Sequence, residues 1–488
     1  MPPHRLLAST AAALALLITV PATSPAAAPP APPVPTTPSP SPFRTVAADR
    51  IGSGALGTPD GRRAAVLLGH SNHYAMTTWS ARVAPSLLDL VVRNPSTPDK
   101  TDAVRRLGME AMSLAVSLRT GAYDPVRAGA PRARARALAV RLITVLVANH
   151  RANRTDGWGS GGQSALWSSF AGRAAWLMWD DLPSRTQALA QSMLVFEADL
   201  ATATPSIYLR DRAGTVLRPG NSAAEEDSWQ ALPLQLATAA MPGNPHWLAW
   251  RHAQVTLMLS AWVRPQDVNT ATVVNGAPVA SWVNGSNVEA DGTVVNHNRI
   301  APDYSTDLYQ NLDEVLVDAL AGVPTPEAAR WGLAHVYAGL TDVTFSGPRY
   351  AAPGGSVYQG EHVYYPQGCD WGTGQALPYA LVDAQAAAFG FGSSRSAAHE
   401  SRHLHQHAHL QARFRDGRTF ASDKEYRYVG REEHTAQLAA QLYLTKLVRD
   451  RDLAAFTNES FYAPAARDAA GLAPRAPVAF TELGVRRG

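Results

Sequence analysis

Beyond residue 43 the chain alternates Ala/Leu/Val-rich segments, with apolar residues three and four apart, and polar stretches rich in Gly, Pro, Asn and Asp. That period marks helices packed by one face, and strand-like alternation is scarce. It predicts helices over residues 76–92, 98–118, 131–152, 162–180, 184–203, 223–240, 245–262, 306–321, 325–341, 373–390, 394–412 and 430–449. Pro183, Pro245, Pro326 and Gly390-Phe391-Gly392 mark several of the ends. From the third helix onward the gaps alternate in length. Residues 153–161, 204–222, 263–305, 342–372 and 413–429 are long connections, whereas 181–183, 241–244, 322–324 and 391–393 are short. Short connections force antiparallel neighbours, which places the long loops together at one end. The expected fold is all-α, an (α/α)6-like toroid of helical hairpins whose long loops form a cleft. A solenoid of hairpins is the alternative, but no repeat of fixed period supports it.

The first 28 residues differ. His4 and Arg5 precede an uncharged, largely apolar run from Leu6 to Val20, and Ala26-Ala27-Ala28 offers a cleavage site, the pattern of a secretory signal. The run is too short for a bilayer span, so no membrane span is expected in the mature protein. Residues 29–43 form a linker in which eight of the fourteen residues from Pro29 to Pro42 are proline. Residues 44–488 are then expected to form one catalytic domain, secreted and monomeric. A 488-residue chain with 46% hydrophobic and 17% charged residues buries a large core, and a formal charge of +3 argues against nucleic acid as a partner. A single cysteine, Cys369, excludes a disulfide framework.

The chemistry-bearing residues cluster in the long loops. Trp158, among glycines, suits a platform for a sugar ring, whereas Trp167, Trp176 and Trp179 lie on an apolar helix face. Asn221, Glu225, Glu226 and Trp229 open a helix; caps and the helix dipole account for one or two of the acids, and saccharide hydrogen bonds for the rest. The longest loop carries Trp282 and then Asp291-Gly-Thr-Val-Val-Asn296-His297-Asn298-Arg299, a turn leading into a short extended piece, followed by Asp303 and Tyr304. A fourth loop brings Glu361, His362, Asp370 and Trp371, with Cys369 read as a packed residue, and a fifth brings Arg415 and Arg418, whose forks suit carboxylates. His399-Glu400-Ser401-Arg402-His403 matches the spacing of a zinc-peptidase helix, with His407 continuing the stripe. Arg402 departs from the uncharged residues usual there, and a polar helix face explains the segment without a metal. No phosphate loop, dinucleotide fingerprint or nucleophile elbow occurs, so no cofactor is expected.

The stretch Asp291-Gly-Thr-Val-Val-Asn-His297, followed closely by Tyr304, resembles the Asp-x-Ser-x-x-Gln-His and Tyr motif of the toroidal polysaccharide lyases that act on hyaluronan, chondroitin and xanthan. Heparinase- and alginate-lyase-like toroids remain open as relatives. The resemblance implies β-elimination on a uronic-acid glycan, with His297 and Tyr304 handling protons and an Asn neutralising the carboxylate. The His–Tyr interval is two residues shorter here, so Tyr309 is the other candidate, and Asn221 is placed by position only. From the residues themselves, Asn296, Asn298, Asn221 and Arg299 are the candidate neutralisers. The expected partner is an acidic polysaccharide. Three alternatives stand beside the lyase. One is a glycoside hydrolase using two of Glu225, Glu226, Asp303, Glu361 and Asp370. The others are a secreted glycan-binding protein and, last, a zinc peptidase.

Overall fold

The computed structural model describes residues 43–46, 56–93, 98–159 and 162–449. The expected leader and the linker up to residue 42 lie outside the described residues, as do 450–488 of the expected domain. The described residues are mostly helical, with only two-stranded ribbons beside the helices, so the all-α class holds. None of their helices is long and apolar enough to cross a membrane.

Helix α1 (Pro59–Tyr74) was not expected. Polar residues dilute its apolar stripe, yet Thr58 Oγ1 accepts the Gly61 N–H at 3.0 Å and Pro59 pre-sets the first turn. A π-helical turn, Ala75–Trp79, lies ahead of α2 (Ala84–Arg93), so residues 76–92 are not one helix. Then follow α3 (Pro98–Arg119), α4 (Arg132–Ala148), α5 (Ser164–Leu177), α6 (Ser184–Ala203), α7 (Ala224–Ala240) and α8 (Trp247–Trp262). Next come α9 (Tyr309–Ala321), α10 (Leu333–Thr341), α11 (Leu377–Phe389), α12 (Ser396–Ala412) and α13 (Arg431–Arg449). The helix expected over 325–341 is broken because Gly332 takes φ 79°, a left-handed conformation, and only α10 and a 3-10 turn at Glu327–Ala329 form.

The odd-numbered helices from α3 to α13 pack in sequence: α3 on α5, α5 on α7, α7 on α9, α9 on α11 and α13, α11 on α13, and α13 back on α3. In addition, α4 lies against α3 and α5, α6 against α5 and α7, and α8 against α7, while α12 packs on α11 and α1 on α13. The odd-numbered helices share buried polar contacts. Arg173 of α5 forms an ion pair with Asp313 of α9 and donates to Gln235 Oε1 of α7 at 3.0 Å. Gln441 Nε2 of α13 donates to the other oxygen of Asp313 at 2.6 Å.

The strands are short antiparallel ribbons within or between the long loops: β1 (Arg210–Asp211) pairs with β4 (Gly285–Ser286), and β2 (Val273–Val274) with β3 (Ala277–Pro278). Likewise β5 (Val295–Asn296) pairs with β6 (Arg299–Ile300), and β7 (Tyr358–Gln359) with β8 (His362–Val363).

Replacing Arg173 with Met leaves Asp313 buried without its cation, a change expected to cost about 3–5 kcal/mol. Urea denaturation of Arg173→Met checks this, and a loss below about 1 kcal/mol contradicts the role given to the pair.

Candidate active site

The site grows from the ribbon β5–β6. Its two-residue turn is His297–Asn298, with φ of 50° and 60°, the left-handed pair that matches the twist of a tight hairpin. Neither residue is glycine, so the turn is held from outside. The His297 N–H meets both Asn221 Oδ1 at 3.1 Å and Asn296 Oδ1 at 2.9 Å, and the Asn298 N–H donates to the Gly220 carbonyl at 3.0 Å. Gly220 is needed for that approach, because a Cβ there would lie 2.3 Å from Asn298 Oδ1.

The turn presents the His297 ring to two partners. Nδ1 lies 2.7 Å from Asp370 Oδ2, and Nε2 lies 3.4 Å from the Tyr304 hydroxyl. A carboxylate accepts only, so Nδ1 carries the proton and Nε2 keeps its lone pair when the ring is neutral. The second Asp370 oxygen receives Arg299 at 2.7 Å, and Trp371 Nε1 donates to the Tyr304 oxygen at 3.4 Å. Burial, and then the negative charge of Glu225, push the Tyr304 phenol up, so it holds its proton at neutral pH. Tyr309 is buried in the core and no hydrogen bond joins it to His297; of the two tyrosines considered, Tyr304 is the one beside the imidazole.

Three half-buried acids lie beside this line. Burial, then Asp307 and Glu226, raise the Glu225 carboxyl well above the ordinary range, with Arg105 opposing. Asp307 is raised by burial and by Asp303, and Asp303 is pushed up to about 6, chiefly by burial. An aromatic wall continues from Trp371 to Tyr428, their centroids 6.0 Å apart; Tyr428 stacks on His434 at 4.6 Å. The Arg105 guanidinium lies 4.6 Å over Tyr428. The Arg427 N–H donates to the Trp371 carbonyl at 2.8 Å, tying the fourth and fifth long loops together. The second to fifth long loops therefore meet at His297, Asp370 and Trp371.

Other expected contacts lie elsewhere. Trp158 is not an exposed platform: it is 3% exposed and its indole N–H donates to the Leu146 carbonyl at 2.9 Å. Trp282 is buried likewise on Val274, and Trp229 is buried in the core. Glu226 is paired with Arg218 at 3.1 Å. Glu361 turns to His405 of α12, and His362 is exposed on β8. Arg418 lies over Phe414 and pairs with Asp416 at 3.6 Å, and the exposed Arg415 meets His73 of α1 through its backbone carbonyl.

The zinc-peptidase spacing is absorbed by the core. Glu400 forms a buried ion pair with Lys446, and His403 Nδ1 meets Asp383 at 2.7 Å. Among the described residues no group of three or more His, Cys, Asp or Glu side chains is arranged to hold a metal ion. Asp307, Arg105 and His434 escaped the sequence reading. The i, i+4 pair Asp303 and Asp307 is the one local signal available; Arg105 sits on α3 and reaches the site only because α13 packs back on that helix. Comparison with family models, curated proteins and solved structures found no match.

Cys369 donates to Asp303 Oδ2 at 3.6 Å, and burial with that charge pushes the thiol up to about 12. At pH 8 the thiolate fraction is then roughly a thousandfold below that of an ordinary cysteine. Iodoacetamide labelling of this sole cysteine, followed by mass spectrometry, is expected to be correspondingly slow and to accelerate in Asp303→Asn. Labelling at the rate of a free peptide thiol contradicts the burial described.

Proposed function

We propose that the protein is a secreted polysaccharide lyase that cleaves an acidic, uronic-acid-containing glycan by β-elimination. We infer also that α3, α5, α7, α9, α11 and α13 close into an (α/α)6-like toroid with the site where the long loops meet. The unbroken circuit of neighbours from α3 to α13 and back supports the toroid. One observation carries the chemistry: the Tyr304 hydroxyl lies against His297 Nε2 while Asp370 occupies Nδ1.

Elimination removes the proton α to the uronate carboxylate, forms a carbon–carbon double bond and breaks the adjacent carbon–oxygen bond, whose oxygen takes a proton. His297 Nε2, with its lone pair fixed by the Asp370 contact, is the base. Tyr304, still protonated, is the acid for the leaving oxygen. The 3.4 Å contact between them suits groups that work on opposite ends of one reacting bond system rather than on each other. Charge building on the carboxylate calls for donors. Asn221 and Asn296 spend their carboxamide oxygens on the His297 N–H, which leaves their NH2 groups for that task. Arg299 is shared with Asp370 and acts mainly to position it. Trp371, half-buried beside Tyr304, offers an apolar face for a sugar ring, with Tyr428 packed behind it.

A second reading rests on Glu225 and Asp307, whose carboxyls burial pushes toward the protonated form, beside Asp303, which at about 6 is mostly ionised at neutral pH. A protonated acid paired with an ionised one is the equipment of a glycoside hydrolase.

Incubation with a panel of uronic-acid and neutral polysaccharides separates these readings. The lyase is expected to generate an ultraviolet-absorbing unsaturated end from a uronic-acid polymer, and His297→Ala and Tyr304→Phe are each expected to lose roughly 10²–10⁴-fold in kcat. Reducing ends without that absorbance point to the hydrolase, and binding without cleavage to a glycan-binding protein. Full elimination by His297→Ala overturns the assignment of the base.

A further inference from the structure

Helix α12 has two histidine faces. His399, His403 and His407 are buried, whereas His405 and His409, four residues apart, are exposed one turn from each other. The exposed pair is arranged in an unusual way. His405 Nδ1 lies 2.8 Å from Glu361 Oε1, in the turn between β7 and β8, and His405 Nε2 lies 3.1 Å from His409 Nε2. The two rings are close to perpendicular, at 86°.

A carboxylate on Nδ1 fixes that proton, so the Nε2 lone pair of neutral His405 points at the second imidazole. His409 Nε2 fills the gap with its proton, but a shift of tautomer to Nδ1 turns it into a second lone pair aimed at the same place. Two imidazole nitrogens bound at about 2.0–2.1 Å to one tetrahedral ion stand roughly 3.3 Å apart. The observed spacing therefore needs only a small opening to admit a metal. The Glu361–His405 contact is the carboxylate–imidazole arrangement that orients metal-bound histidines and raises their basicity. Imidazole pairs select zinc-like divalent transition ions over magnesium or calcium.

We propose that His405 and His409 bind one zinc-class divalent ion on the outer face of α12, with Glu361 as the outer-shell carboxylate and solvent oxygens completing the coordination. This site is separate from the His-Glu-x-x-His spacing and independent of the proposed lyase chemistry. Because Glu361 lies in the loop that also carries Asp370 and Trp371, its contact with the metal-bound His405 ties that loop to α12.

Isothermal titration of the full chain with zinc chloride at pH 7.5, with magnesium chloride as the comparison, tests the proposal. The expected result is one zinc per chain, no magnesium binding, loss of the zinc signal in His409→Gln, and affinity roughly tenfold lower in Glu361→Gln. These side chains are exposed, and circular dichroism verifies that each variant is folded. Zinc should also raise the melting temperature of the parent chain and leave that of His409→Gln unchanged. Absence of zinc binding by the parent, or unchanged binding by His409→Gln, overturns the site. Unchanged affinity in Glu361→Gln overturns the part given to the carboxylate.

Discussion

The buried cluster around the Arg173–Asp313 ion pair sets the geometry on which the site depends. It takes one polar side chain from each of α5, α7, α9 and α13, and every member satisfies another's hydrogen-bonding demand. Charges in a low-dielectric interior tolerate little misalignment, so the pair fixes the rotation of these helices about their axes. Its position matters for the site. Gln235, Asp313 and Gln441 each lie about ten residues beyond Glu225, Asp303 and Arg431, roughly 15 Å of helix. The entry of α7, which carries Glu225, the start of α9, which follows Asp303, Tyr304 and Asp307 along the chain, and that of α13, which follows Tyr428, are thereby placed.

Above this frame the loops meet a different constraint, the conformational cost of the His297–Asn298 turn. Two successive left-handed residues that are not glycine persist only where the surroundings over-determine them. Asn221, Asn296 and the Gly220 carbonyl supply that support, and the result is an imidazole aimed simultaneously at a carboxylate and a phenol. The strain and the position of the ring are thus parts of one device. The neighbouring acids serve the same end. Their shared burial disfavours ionisation, and their charges, where they form, discourage loss of the Tyr304 proton.

Much of this was legible in sequence. Helical period and loop lengths carried the all-α class and the meeting of the later long loops, because both follow from local pattern and chain reach. Asp291-Gly-Thr-Val-Val-Asn-His297 announced a turn and an extended piece, and β5–β6 is that ribbon. What was not legible depended on contacts between distant segments. Trp158 sits among glycines, as an exposed ring would, but the adjacent chain folds over it. Glu361 adjoins the aromatic-rich loop yet its partner is on α12. Helix α1 is specified by its cap and by the neighbours it covers more than by its own apolar stripe. Arg105 carries no local mark, since its role exists only where α13 returns to α3.

The central claim is that His297 removes a proton from carbon while Tyr304 protonates the leaving oxygen. The most direct measurement is the kinetic isotope effect on kcat/KM with a uronic-acid polymer deuterated at the carbon α to the carboxylate. The account predicts a primary effect clearly above unity, because the carbon–hydrogen bond breaks in the step that commits the substrate. Cleavage at equal rates for the two isotopes, with reducing ends and no unsaturated product, would show that this bond stays intact and would contradict the account.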